Sequence, residues 1–280
     1  MITAETEQQQ DRYALGHTDQ EYERLRMQAS VWQAATERLL DQVRLAPGAS
    51  CLDAGCGPGE TMRLMAERVG PGGRVLGIDA DSRLGEMAVA MLHGAGHGHC
   101  SFLARDVTAS EPITGGPFDL VYARLLLFHL PQRAAVLARL WDAVVPGGHL
   151  LVQDYDLRSV STLPELDSVD ELMRVITGAF TAAGADVSAG TRLAQLFTQA
   201  GIGDPDGTDV SGRVEPLATG RAELESAFRS VLPKALASGV TTEDASAAAL
   251  ASIDRDATRF ADRPMLTPLL IGAWKRKERA

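Results

Sequence analysis

The stretch CLDAGCGPGETM, residues 51–62, decides the fold of this chain. A short apolar run ends at Asp53, three glycines follow at alternate positions (Gly55, Gly57 and Gly59), and a helical pattern then begins. Glycine tolerates positive φ and lets a ligand touch the backbone. The stretch therefore predicts a strand, a tight turn and a helix that opens beneath a bound small molecule.

A second acid supports this prediction. The next predicted strand, Arg74–Asp79, ends in a carboxylate twenty residues after Gly59, which is the usual offset for an acid that binds a ribose diol. The glycine spacing is G-x-G-x-G, which differs from the G-x-G-x-x-G of dinucleotide-binding turns. Asp53, just before the glycines, would repel a pyrophosphate and attract a cationic amino-acid group. The pattern favours a ligand that has a ribose and a positive charge but no phosphate.

This stretch resembles motif I of the class I S-adenosylmethionine-dependent methyltransferases, and the chain resembles that family in order from about Ala49 to Asp154. The resemblance is to the small-molecule and natural-product type, close to the ubiquinone- and menaquinone-biosynthesis group. It implies an α/β, Rossmann-like fold with a seven-stranded, mostly parallel sheet, a last strand that is antiparallel, and helical lid insertions. Periodicity alone supports about six strands. The implied cofactor is S-adenosyl-L-methionine.

Strands and helices alternate along the first half of the chain, which predicts a parallel sheet with right-handed crossovers. The predicted helices are Glu60–Val69, Ser82–Leu92 and Ala134–Val144, and the further strands are Ser101–Val107, Phe118–Ala123 and His149–Asp154, the last after a turn at Pro146-Gly147-Gly148. From Tyr155 the pattern changes. The later helices are Leu166–Ala183, Gly190–Ala200, Glu223–Ala237 (kinked or broken at Pro233) and Glu243–Phe260, with strands near Asp209–Pro216 and Leu266–Lys275.

Three parts of the chain follow from this pattern. Residues 1–45 are expected to form an N-terminal helical cover, residues 46–155 the S-adenosylmethionine-binding core, and residues 156–280 a helical substrate lid plus the closing strands.

The resemblance also implies which residues contact the cofactor. Asp106 would accept a hydrogen bond from the adenine amino group, and the Val107 N–H would meet a ring nitrogen; the other interpretation of Asp106 is a turn residue at a strand end. Tyr13 and Gln28 would bond the cofactor carboxylate or are packing residues of a helix. The full set is Tyr13, Gln28, Asp53, Gly55, Cys56, Gly57, Asp79, Ala80, Asp106, Val107 and Arg124.

The proton released by a hydroxyl or amine acceptor needs a base or water. The candidate bases are His129, His17 and Asp154, and the sequence does not rank them. A hydrogen-bonded structural histidine is an equal interpretation of His129. Three other histidines, His93, His97 and His99, lie in a glycine-rich loop without a complementary acid or cysteine, so no metal site is predicted.

The composition limits the kinds of partner that the protein is expected to bind. The chain has 280 residues, a net charge of −10 and a pI near 5.1, which argues against a nucleic-acid surface. No apolar run reaches the roughly 18 residues of a membrane span. The polar, acidic start MITAETEQQQDR is unlike a signal peptide, and three cysteines make no disulfide framework, so a cytoplasmic location is expected. The expected partner is a small-molecule acceptor, with a homodimer as an option.

Two other functions compete with methyl transfer to oxygen, nitrogen or carbon. One is a protein that keeps the cofactor but has lost methyl transfer, as a pericyclase has. The other, which Asp53 and the glycine spacing oppose, is an NAD-dependent oxidoreductase.

Overall fold

The computed structural model describes residues 29–279. The sequence predictions for Tyr13, His17 and Gln28, and for most of the N-terminal cover, lie outside these residues. Two compact units divide the chain. Of the described residues, one unit contains residues 29–154 together with Gly190–Val210 and the C-terminal strand from Ile271, and the other contains Tyr155–Ala189 and Ser211–Leu270.

Seven of the strands in residues 29–279 form one sheet. These strands are β1 (Ser50–Ala54), β2 (Arg74–Asp79), β3 (Cys100–Ala104), β4 (Phe118–Arg124), β5 (Val144–Asp156), β7 (Gly207–Ser211) and β10 (Leu269–Arg276). Their order across the sheet is β3-β2-β1-β4-β5-β10-β7, and the first five are parallel to their neighbours. The predicted α/β fold and its seven-stranded sheet are confirmed.

The strand β10 runs antiparallel to β5. The N–H of Gly147, early in β5, donates to the carbonyl of Lys277, whereas Gln153, late in β5, lies beside Gly272. Early residues of one strand thus pair with late residues of the other, which is the direction that the family resemblance implied for the last strand.

Five α-helices within the described residues belong to the same unit as this sheet. They are α1 (Gln33–Gln42), α2 (Glu60–Val69), α3 (Ser82–Gly94), α4 (Arg133–Asp142) and α6 (Leu193–Gln199). Leu39 and Leu40 of α1 pack into the same core as Cys51, Tyr122 and Leu151 of the sheet. The helix α1 therefore lies on the face of β1, β4 and β5 that also carries Asp53.

The second unit is mainly helical. Its helices are α5 (Asp167–Ala182), α7 (Leu217–Ala237) and α8 (Glu243–Arg259), which pack against one another. A small antiparallel sheet joins β6 (Ser161–Thr162), β9 (Pro264–Leu266) and β8 (Val214–Pro216) in that order. The helix α7 begins six residues earlier than predicted and continues through Pro233.

Several predicted boundaries were wrong for identifiable reasons. The third strand ends at Ala104 instead of Val107, because β2 ends at Asp79 and offers no partner after its carbonyl bonds Arg105. Asp106 and Val107 therefore lie in a loop. The segment 146–148, predicted as a turn, lies inside β5, where Gly147 has a φ of 90° and pairs with Lys277.

Two segments that were each predicted to form one strand are divided into two strands in the structure. The run 209–216 divides at Gly212, whose missing Cβ lets the Leu269 side chain approach; a Cβ there would lie 2.6 Å from Leu269 Cδ2. The run 266–275 divides at Pro268, which has no N–H to donate to a ladder. In each case one half joins the large sheet and the other joins the small one.

Candidate functional site

The glycine-rich turn is fixed to the neighbouring strand. Gly55, Gly57 and Gly59 have φ values of 72°, 47° and 81°, a region that residues with a Cβ seldom adopt. The N–H groups of Gly55 and Cys56 both donate to the carbonyl of Ile78, at 2.8 and 3.1 Å. Gly59 precedes α2, and a Cβ there would lie 2.7 Å from Ala88. The backbone path of the turn is thus set by hydrogen bonds and close packing.

Asp79 links the turn to the end of β2. Its Oδ2 accepts from the Gly57 N–H at 2.9 Å and its Oδ1 accepts from the Asp81 N–H at 3.0 Å. Burial raises the pKa of the Asp79 carboxyl, and these backbone hydrogen bonds oppose the rise. The backbone N–H of Ala80 is a further donor to this carboxylate, which has about four acceptor positions in all. A ribose hydroxyl would match an acceptor position that remains.

Space for a ligand lies at Gly57. A Cβ there would meet no heavy atom within 4 Å, whereas a Cβ at Gly55 would lie 2.9 Å from the Leu126 side chain. Ala80, the residue after Asp79, is exposed. Cys56 is buried in the core, with its N–H and its carbonyl both used inside the protein. Of the predicted turn residues, Gly57 is therefore the one whose Cα faces open space.

Asp53 is a buried acid at the end of β1. It is 1% exposed, and its Oδ2 has no hydrogen-bond partner among the described residues. The pKa of Asp53 is raised to about 7. Burial is the largest cause, the nearby charge of Arg124 acts in the opposite direction, and the charge of Asp79 adds to the rise. The site thus contains an acceptor atom that the described part of the protein leaves unsatisfied.

Arg124, at the carboxyl end of β4, is anchored by a buried polar network. Its Nη1 donates to Thr36 Oγ1 at 3.0 Å, and Thr36 Oγ1 donates to Gln153 Oε1 at 3.0 Å. The Tyr122 hydroxyl also donates to Gln153 Oε1. Thr36, Tyr122 and Gln153 are completely buried. Burial raises the pKa of Tyr122, which keeps its hydroxyl protonated as a donor.

The loop after β3 carries the two residues predicted to read adenine. Asp106 Oδ1 accepts from the Thr108 N–H at 2.7 Å, so Asp106 also closes a turn. The carbonyl of Val107 accepts from Arg139 Nη2 at 2.8 Å, which ties the loop to α4. The backbone N–H of Arg105 donates to the carbonyl of Asp79. This loop is therefore joined to the same strand end that holds the turn.

Comparisons with known proteins concern the part of the chain that carries the glycine-rich turn. A family described as a methyltransferase domain matches residues 51–148. Residues 51–148 are a methyltransferase domain. The domain is of the class I, S-adenosylmethionine-dependent type, as the sequence resemblance and the sheet order both indicate.

The relatives share the core rather than the whole chain. A trans-aconitate 2-methyltransferase from Paracidovorax citrulli is 36% identical over 120 residues, which are 43% of this chain and 44% of that protein. A nocamycin O-methyltransferase from Saccharothrix syringae is 36% identical over 119 residues, 42% of either chain. This chain thus spans less than half the length of these two relatives.

Solved structures support the fold. A Bacillus halodurans protein assigned as a methyltransferase superposes with a TM-score of 0.60 at 16% identity, covering 88% of this chain and 99% of that one. At this identity the likeness concerns the fold of the methyltransferase domain and its additions, not the substrate.

Two of the three candidate bases fall within the described residues. Asp154 is fully buried at the end of the methyltransferase sheet, and its Oδ2 accepts from the Phe128 N–H at 2.9 Å. His129 ends the short 3-10 helix Leu127–His129 and packs edge-on against Phe128, with ring centroids 4.8 Å apart. Asp154 therefore fixes the turn that carries His129. His17 lies outside the described residues.

Sequence reasoning missed Thr36, Tyr122 and Gln153. Thr36 lies one turn before Leu39 and Leu40 on the buried face of α1, so its position on an apolar stripe was a usable signal. Gln153 is likewise a polar residue in an otherwise apolar strand. A polar side chain at such positions indicates a buried hydrogen-bond partner.

Metal-binding and membrane-spanning features are both missing from residues 29–279. In this part of the chain no group of three or more His, Cys, Asp and Glu side chains has metal-binding geometry. His93 and His99 bond the carbonyls of Cys100 and Ala66. Over the same range, no helix is long and apolar enough to cross a membrane.

Proposed function

We propose that this protein binds S-adenosylmethionine at the glycine-rich turn and transfers its methyl group to a small-molecule acceptor. The observation that carries the proposal is the junction of Gly57 with Asp79. There a carboxylate oriented by backbone N–H groups lies beside a glycine whose Cα faces open space.

The chemistry of the site fits the cofactor part by part. The Asp79 carboxylate is a fixed acceptor for ribose hydroxyls, and the unpaired Asp53 oxygen offers negative charge to an ammonium group. Asp106 and the Val107 N–H fit the adenine edge in the way that the family resemblance implies. The charge of Asp53 opposes a pyrophosphate at the same place, which favours S-adenosylmethionine over NAD.

Bound S-adenosylmethionine supplies an electrophilic methyl group. The residues of this chain then have only to hold the acceptor in line, exclude water and take up a proton. We assign proton uptake to His129, because the Asp154 carboxylate is engaged by the Phe128 N–H and is fully buried. The alternative to His129 is that a water molecule takes up this proton.

The acceptor is proposed to be a small secondary metabolite with a reactive oxygen. The name of the Saccharothrix relative, an O-methyltransferase, supports oxygen over nitrogen or carbon. We assign the choice of acceptor to residues 156–280 and a covering role to residues 1–45. We also propose a cytoplasmic enzyme, in line with three free, buried cysteines, and a homodimer, which light scattering on the purified chain tests.

Calorimetry and product analysis together test the function. The chain should bind S-adenosylhomocysteine at micromolar concentrations and should not bind NAD. With methyl-labelled S-adenosylmethionine and a panel of hydroxyl and carboxylate acceptors that includes trans-aconitate, label should appear in a product. Binding of NAD without S-adenosylhomocysteine contradicts the cofactor assignment. Binding with an unlabelled product contradicts methyl transfer and favours a protein that keeps the cofactor for another reaction.

A further inference from the structure

We propose that Thr36 and Gln153 are positioning residues that hold the Arg124 guanidinium at the site, where Arg124 and Asp53 together recognise the zwitterionic amino-acid end of the cofactor. This inference rests on the proposed function and extends it. It assigns one end of the cofactor to a network that begins in α1, outside the matched domain at residues 51–148.

The hydrogen bonds of the network have one consistent direction. Arg124 donates to Thr36, Thr36 donates to Gln153, and Tyr122 donates to the same Gln153 oxygen. A threonine hydroxyl has one proton to give and accepts from another donor, so Thr36 is used on both sides. One Arg124 nitrogen is thereby fixed, and its charge is held at the strand end.

The charges at the end of the strands are complementary to a free amino acid. Asp53 pairs in register with Tyr122, so Arg124 lies just past Asp53 on the adjacent strand. The two side chains interact electrostatically, since Arg124 lowers the pKa of Asp53. A guanidinium binds carboxylates in a two-point geometry, and a buried, unpaired carboxylate oxygen attracts an ammonium group. An α-amino acid carries both groups on one carbon.

The helix α1 can hold Thr36 in a fixed position because it packs closely against its neighbours. Leu39 fills the space left by Gly272, where a Cβ would lie 2.5 Å from Leu39 Cδ1. On its other side, Arg68 of α2 donates to Asp41 at 3.0 Å. These contacts fix Thr36, and through it Arg124.

The test uses two ligands that differ only at the amino-acid end. S-adenosylhomocysteine contains it, and 5′-methylthioadenosine has the same adenosine and sulfur without it. In Thr36→Val, which removes the hydroxyl at nearly constant volume, affinity for S-adenosylhomocysteine should fall about tenfold, the scale of one lost hydrogen bond to a charged group. Affinity for 5′-methylthioadenosine should stay within about twofold of wild type, because that ligand lacks the group that Arg124 binds.

Two matched variants sharpen the test. Thr36→Ser keeps the hydroxyl and should restore S-adenosylhomocysteine affinity to within about threefold of wild type, since the hydrogen bonds on both sides remain possible. Thr177→Val makes the same change in α5, where the hydroxyl bonds backbone carbonyls, and should leave both affinities unchanged. If Thr36→Val does not fold, Arg124→Gln at the half-buried strand end gives the same selective loss.

An equal loss of affinity for both ligands in folded Thr36→Val or Arg124→Gln overturns the inference, because it shows that the residue has a general structural role. Unchanged binding of both ligands overturns it as well. A wild-type chain that binds neither ligand contradicts the proposed function itself, which separates the two failures.

Discussion

The Gly57 N–H donates to the Asp79 carboxylate at 2.9 Å. This hydrogen bond joins the turn after β1 to the side chain that ends β2, and the two residues are 22 positions apart in the sequence. Because the same carboxylate also accepts from Asp81, it has a fixed orientation before any ligand arrives. A pre-oriented acceptor loses little conformational freedom on binding.

Removal of the Asp79 carboxylate should weaken cofactor binding. Asp79→Ala leaves the Gly57 and Asp81 N–H groups without their acceptor and removes the proposed contact with ribose. We expect affinity for S-adenosylhomocysteine to fall by roughly 1.5–3 kcal/mol, the scale of charge-assisted hydrogen bonds, measured by calorimetry. Glu86→Ala, at an exposed acid of α3, serves as the control. Unchanged affinity in Asp79→Ala would remove Asp79 from the site.

A side chain at Gly57 should affect the ligand more than the fold. In Gly57→Ala the Cβ meets no protein atom within 4 Å, so the cost to folding is the positive φ alone, about 1–2 kcal/mol. Because the added methyl group enters the ligand's space, Gly57→Ala should bind S-adenosylhomocysteine more weakly than wild type. The larger Gly57→Val should bind it more weakly than Gly57→Ala.

The matched control for this change is Gly201→Ala. Gly201 also has a positive φ, of 75°, and open space around its Cα. Urea unfolding should show similar losses of stability in Gly57→Ala and Gly201→Ala, while calorimetry shows weaker binding only in the first. Normal binding by folded Gly57→Ala would mean that the turn does not face the cofactor.

Asp53 should make the stability of the protein depend on pH. Its pKa rises from an ordinary value of 3.8 to about 7 in the folded chain. A raised folded pKa gives stability that is fully present below the unfolded pKa and is lost as pH rises through the folded pKa. The free energy of unfolding of wild type should therefore fall, relative to Asp53→Asn, between about pH 4 and pH 7.

The free energy of unfolding should change by about 1.4 kcal/mol for each pH unit that separates the folded from the unfolded pKa of Asp53. Asp79 and Arg124 face the same carboxyl with opposite effects on its pKa, and both are present in the two proteins, so the difference isolates Asp53. Denaturant unfolding from about pH 4 to about pH 8 measures it. A difference that rises with pH, or does not change, would contradict the raised pKa of Asp53 in the folded chain.

Substitutions should show that Asp154 has a structural role and that His129 takes part in the reaction. Asp154→Ala leaves the buried Phe128 N–H unpaired and should lower the free energy of unfolding by about 1–3 kcal/mol. Asp154→Asn retains an acceptor oxygen and should keep most of the stability and the turnover. His129→Gln should keep the fold and lower kcat at saturating cofactor. A folded Asp154→Asn without turnover would instead make Asp154 the base.

The sequence predicted the parts of the fold that depend on neighbouring residues. The helix Glu60–Val69 and the strand Arg74–Asp79 have the predicted bounds, because an apolar run, a glycine turn and a helical stripe are all local patterns. The division of the two late strands depended on Gly212 and on Pro268, and only the second of these has a local signature.

Local sequence patterns could not predict the buried network of Thr36, Gln153 and Arg124, and the reason is physical. Thr36 lies 88 positions from Arg124 and 117 from Gln153, and the fold alone brings them together. A threonine on a helix is ordinarily a weak signal, since its hydroxyl most often bonds its own backbone. The role of Asp154 depended in the same way on a distant contact, since its partner, the Phe128 N–H, lies 26 positions away in the sequence.

The most direct test of the account is a structure of the protein with S-adenosylhomocysteine bound. We predict that both ribose hydroxyls lie within about 3.2 Å of the Asp79 carboxylate, that the Gly57 N–H keeps its bond to Asp79, and that the ligand covers Gly57. A bound ligand whose ribose makes no hydrogen bond to Asp79, or which lies away from the glycine-rich turn, would contradict the account.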